Sequence, residues 1–175
     1  MDRAQLFVTG FGSFGQFDVN PTSILAPQLS PHHTILPVTY ADAETFVTFP
    51  LPAGISTLLM LGVSAKAETI LLETTARNLI GRTPDASGVV AGPMPINPRG
   101  PQQIGATLWH DGALMAPGQA WATSVDAGDY LCNYLSYRAL EQFPNLRVGF
   151  VHVPPFSTMV EAAQIQALSE LIAAL

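Results

Sequence analysis

The chain has 175 residues, a formal net charge of −6 at pH 7 and only seven lysines and arginines, enough for a single domain over 1–175 with a sizeable core and too few cations to neutralise nucleic-acid phosphates. Hydrophobic residues make up 48% and charged residues 11%, against roughly 25% charged in an average soluble domain, so burial of surface in a homo-oligomer is expected. Apolar runs such as 70–72 are far shorter than the ~20 residues that cross a bilayer, and Asp2 and Arg3 precede no secretory apolar core, so a cytoplasmic protein without a membrane partner is expected.

Residues 5–9 read as a short buried strand ended by Gly10. A loop with three glycines and three phenylalanines follows over 10–20. Asn20-Pro21 then has the form of a helix start, a capping side chain with proline at the first helical position, and Pro27 is expected to kink or end that helix. Residues 34–38 predict a strand, 41–48 a helix, and 57–61 a strand closed by Gly62. Residues 69–72 are apolar and β-capable, and 87–96 are rich in Gly and Pro and suit a loop or edge strand. The spacing predicts a helix over 102–109, a strand over 120–125, a helix over 129–142, a buried strand over 148–153 and a closing amphipathic helix over 159–175. This alternation is that of an α/β domain with a mostly parallel sheet covered on both faces. In such folds ligands sit beyond the carboxyl ends of the strands.

The single cysteine, Cys132, cannot form an internal disulfide, and with four scattered histidines it does not make a structural zinc site. A lone intracellular cysteine is either a small buried hydrophobe or a nucleophile. Cys132 lies near the start of the 129–142 helix, after the turn Asp126-Ala127-Gly128. Free N–H groups and the helix dipole at that position favour an anion and could stabilise an oxyanion. His152, near the carboxyl end of the 148–153 strand, is the best-placed histidine to act as a base. His32 and His33 sit in a polar loop and His110 at a helix end. Glu73 closes a three-residue apolar run, as a polar boundary or as a buried carboxylate that orients a histidine. Gly10, Gly12 and Gly15 form GxGxxG, but no acidic residue for a ribose lies in 29–38. Phe11 and Phe14 better suit the walls of a small, flat, apolar pocket, while Phe17 reads as core cover.

Four blocks carry a resemblance to a known family. VTGFGSFGQFDVNPT (8–22), LETTARNLIGRTPD (72–85), SVDAGDYLCNY (124–134) and FVHVP (150–154) occur in this order over nearly the whole chain. Together they resemble the signature blocks of the pyrrolidone-carboxyl peptidases, or pyroglutamyl peptidases of type I. The resemblance implies a three-layer α/β/α sandwich and hydrolysis of the amide bond after an N-terminal pyroglutamyl residue, with no metal or cofactor. It implies Cys132 as nucleophile, His152 as base and then acid, and Glu73 as the group orienting His152. Phe11, Phe14 and Asn20 of the first block would serve the substrate pocket, as would Val63, where the family often has Gln. Arg82 matches an arginine near the family's nucleophile. Peptides with N-terminal pyroglutamate would be the partners, and a dimer or tetramer the assembly.

The chain departs from the family in residues 62–67 (GVSAKA), which lack a second glycine pair and an arginine, and in Ser13, which stands where the family has Pro. A second hypothesis is therefore a catalytically impaired relative that binds a lactam or peptide as an oligomer. A third is a cysteine hydrolase of another small cyclic amide.

Overall fold

The computed structural model describes residues 2–109 and 120–175. After one 3-10 turn at Arg3–Gln5, these residues form β1 (Leu6–Phe11), α1 (Pro21–Leu29), β2 (His32–Leu36), α2 (Tyr40–Thr48), β3 (Thr57–Val63), β4 (Ile70–Glu73), β5 (Thr75–Arg77), β6 (Gln103–Gly105), β7 (Trp121–Ser124), α3 (Leu131–Gln142), β8 (Arg147–Val153) and α4 (Glu161–Ala174). A six-stranded sheet has the order β2-β1-β3-β8-β4-β7, and β5 and β6 pair in a separate ribbon. β2, β1, β3 and β8 are mutually parallel. β4 runs antiparallel to β8, and β7 follows β4.

The central strands are apolar along nearly their whole length because both faces are covered. Successive side chains alternate between faces. Leu59, Leu61, Val151 and Val153 meet Leu25 and Leu29 of α1 and Leu168 and Leu171 of α4. Leu58, Met60, Val148 and Phe150 meet Ala43 and Val47 of α2 and Leu131 and Leu135 of α3. The result is the expected three-layer α/β/α sandwich.

Several local expectations change. His32 and His33 open β2 rather than lie in a loop, and β1 runs past Gly10 to Phe11. Residues 102–109 are not a helix. Ile104 pairs with Ala76 in the β5–β6 ribbon, and the N–H groups of Thr107 and Leu108 both reach the Val148 carbonyl, so strand partners outcompete the local helical spacing. Pro27 lies inside α1, which runs on to Leu29 before Ser30 N–H closes on the Ala26 carbonyl; so close to the helix end, proline removes only one bond. β3 does not stop at Gly62 but pairs with β8 through Val63.

α2 and α3 are joined by charge as well as by packing. Arg138 donates Nε to Glu44 Oε2 at 2.9 Å and Nη2 to Oε1 at 2.8 Å. The Tyr134 hydroxyl donates to the same carboxylate at 2.9 Å. The Arg138 hydrogen bonds hold the Glu44 pKa below its ordinary value against the opposing effect of partial burial. A lowered folded-state value means that the stabilisation is present above the ordinary carboxylate range and is lost as pH falls through the folded value. Glu44→Gln is expected to cost about 1 kcal/mol at pH 7, allowing for solvent screening of this part-exposed pair. Denaturant melts should show wild type and variant converging as acid protonates Glu44.

Candidate active site

The register of β4 against β8 sets Glu73 beside His152. In the antiparallel register Leu71 faces His152 and Glu73 faces Phe150. Directly opposed side chains share a face of the sheet, and diagonal neighbours lie within reach of a long side chain. Glu73 Oε1 therefore meets His152 Nδ1 at 2.7 Å. The Glu73 side chain is 1% exposed and that of His152 10%. Trp109 Nε1 donates to the Glu73 carbonyl oxygen at 2.9 Å, fixing the end of β4.

Cys132 arrives from the helix layer on the same face. The chain pivots at Gly128, whose φ of 82° suits glycine, and α3 begins at Leu131. Tyr130, the N-cap, is extended, and its side chain does not cap the helix. The first-turn N–H groups beside Cys132 thus lack intrahelical acceptors. The thiol is half-buried and lies within hydrogen-bonding reach of the His152 ring. Glu73 occupies Nδ1, which leaves Nε2 free of that carboxylate. Gly62, opposite His152 in the β3–β8 register, makes room for this contact. A Cβ at that position would stand 2.8 Å from Cys132 Sγ and 2.7 Å from the Phe150 ring. Asn133 locks the helix in place, accepting from Arg77 N–H at 2.8 Å and donating to the Arg77 and Leu79 carbonyls at 2.8 and 3.0 Å.

Burial alone would lower the His152 pKa. The charge and hydrogen bond of Cys132, and then the hydrogen bond and charge of Glu73, outweigh burial and push it up to about 10. At neutral pH the imidazole is held protonated between sulfur and carboxylate. An arrangement of this kind can attack a carbonyl through sulfur, stabilise the resulting oxyanion at the helix N–H groups and protonate a departing amine.

A cavity of about 190 Å³ opens beside the sulfur, lined by Phe11, Phe14, Phe17, Asn20, Val38, Val63, Tyr130, Leu131 and Cys132. Phe14 stacks on Tyr130, with ring centroids 5.6 Å apart and planes at 28°. Phe17 lines the cavity rather than only covering the core, because its backbone pairs with that of Phe14 through bonds of 3.1 and 3.0 Å. Asn20 also lines it, but its amide is engaged: Oδ1 accepts from Thr22 N–H at 3.1 Å, and Nδ2 donates to the Gly12 carbonyl at 3.0 Å. Thr22 Oγ1 in turn accepts from Phe11 N–H at 2.8 Å, so the Asn-Pro-Thr run pins the aromatic loop to α1. Arg82 is exposed and stands outside the cavity lining.

Sequence reasoning missed Tyr130, Leu131 and Val38 as cavity walls; the first two lie in the 124–134 segment that carries Cys132. It also missed Asp85, a buried carboxylate that accepts from Tyr40, Ser87 and Val89 N–H groups and ties the 85–89 loop to α2. His110 lies outside the described residues. Among those residues no three His, Cys, Asp or Glu side chains gather to hold a metal ion.

NMR titration of the His152 ring should give a midpoint near 10 in the wild type. Cys132→Ser should lower that midpoint by more than Glu73→Gln, because the sulfur contributes the larger upward shift. Equal midpoints in all three proteins would refute this account of the ring's charge.

A family model described as pyroglutamyl peptidase matches residues 4–169. The chain is 28% identical to pyroglutamyl-peptidase 1 of Homo sapiens over 97% of its own length and 88% of that protein. It is 29% identical to the pyrrolidone-carboxylate peptidase of Levilactobacillus brevis over 86% and 81% of the two chains. It also superposes on the crystal structure of pyrrolidone carboxyl peptidase from Thermus thermophilus with a TM-score of 0.82 at 28% identity, covering 97% and 100% of the two chains. With the match running over nearly the whole chain, this protein belongs to the pyroglutamyl peptidase family.

Proposed function

We propose that this protein is a cysteine peptidase that removes pyroglutamate from the N-terminus of peptides, with Cys132, His152 and Glu73 as its catalytic set. The observation that carries this reading is the His152 ring, bonded to Glu73 at Nδ1 and within reach of the Cys132 thiol, beside an aromatic-walled cavity. A pyroglutamyl ring is uncharged and nearly flat, so Phe11, Phe14 and Val63 suit it better than a salt bridge would. Asn20 contributes by holding the loop that carries the phenylalanines. Arg82 acts at most through the surrounding field.

The thiolate of Cys132 attacks the carbonyl carbon of the pyroglutamyl residue, and the oxyanion forms at the first-turn N–H groups of α3. The carbon–nitrogen bond then breaks, the amine takes the proton of His152, and a thioester remains. Neutral His152 next removes a proton from water, which attacks the thioester. Pyroglutamate leaves, and thiolate and imidazolium are restored.

The site needs a reduced thiol, which supports a cytoplasmic setting; among the described residues no helix is long and apolar enough to cross a membrane. The low charge fraction, with Val89, Val90 and Met94 exposed in the stretch after β5, supports a homo-oligomer.

Hydrolysis of a pyroglutamyl coumarin amide is the direct assay. The wild type should release the fluorophore, iodoacetamide should abolish release, and Cys132→Ala should reduce kcat by at least about a thousandfold. Binding of the lactam without turnover by the wild type would favour the impaired relative instead.

A further inference from the structure

A second cavity of about 500 Å³ shares one wall with the first. Phe17 lines both cavities. Val63, the last residue of β3, lines the first cavity, and Ala65, two residues on, lines the second. The far wall, Pro155 to Thr158, begins three residues after His152.

We propose that this second cavity binds the residues that follow pyroglutamate in the substrate, and that it selects neutral side chains there. The inference rests on the function proposed above. If the pyroglutamyl ring fills the cavity beside Cys132, the departing amine must face His152, which protonates it. The peptide beyond the broken bond then leaves on the His152 side, where the loop that follows this residue forms a wall. One wall is anchored to the strand that carries His152 and the other to α4. Ser64 N–H donates to the Val153 carbonyl at 3.0 Å. The buried Gln164 of α4 donates to the carbonyls of Pro154 and Met159 at 2.9 and 2.7 Å, and Thr158 N–H closes on the Pro155 carbonyl at 2.9 Å. Gln16, Ser157 and Thr158 offer hydrogen bonds to a peptide backbone, and Phe17 and Phe156 offer apolar surface. None of the lining residues is ionisable, so a charged side chain would find no counter-charge among them.

The test compares kcat/KM for pyroglutamamide, whose leaving group is ammonia, with that for pyroglutamyl-alanyl-alanine. Ala65→Trp, which fills the cavity, should lower the tripeptide-to-amide ratio at least tenfold. Thr158→Arg provides an independent gain of selectivity. It should raise the preference for pyroglutamyl-aspartyl-alanine over pyroglutamyl-lysyl-alanine at least tenfold relative to wild type. If the wild type cleaves these substrates and both ratios stay within twofold in the variants, the subsite is overturned and the function stands. If the wild type cleaves none of them, the function fails and the subsite fails with it.

Discussion

A carboxylate can orient an imidazole only if the backbone delivers both to one face at hydrogen-bonding range, and here the register of β4 against β8 does this. Glu73 and His152 lie on adjacent strands that run antiparallel, within a sheet whose other half is parallel. The antiparallel register puts Glu73 on the diagonal of His152 and shields the bond from water, where a charged pair is worth far more than at a surface. The sulfur supplies the third contact, and its position follows from α3 packing on that same face.

Space at the sulfur is controlled as tightly as charge. Gly62 sits where any Cβ would collide with both Cys132 and Phe150, so the strand opposite His152 is bare at the point where the thiol must lie. Tyr130 ends the extended segment before α3 and stacks on Phe14. Its hydroxyl also donates to the Pro84 carbonyl at 3.1 Å. The start of the nucleophile's helix is thereby coupled to the aromatic loop that walls the cavity. Asn133 ties the next residue of the helix to the β5 segment. The residues around Cys132 in sequence thus act as its braces.

The layered α/β architecture could be read from the chain because buried parallel strands are short continuous apolar runs and the helices between them have their own period. Cys132 and His152 were legible for a related reason: each lies at the end of an element that the sequence marks well. Glu73 was ambiguous on local grounds, since a carboxylate after three apolar residues looks the same at a boundary or in a core, and the direction of β4 depends on long-range pairing. The same gap explains residues 102–109, where a local helical spacing gives way to bonds with Ala76 and Val148. Phe17 was misread because its place in the cavity wall follows from a backbone turn shared with Phe14. Arg82, matched to the family by position in the sequence, lies outside the cavity lining.

The account's central claim is that His152 holds a proton against the Cys132 sulfur and so keeps it reactive. The rate of Cys132 alkylation by iodoacetamide at pH 6 measures this directly, since the thiolate is the reacting form. The account predicts that His152→Ala, with fold verified by circular dichroism, reacts at least tenfold more slowly than wild type. Equal rates in the two proteins would contradict it.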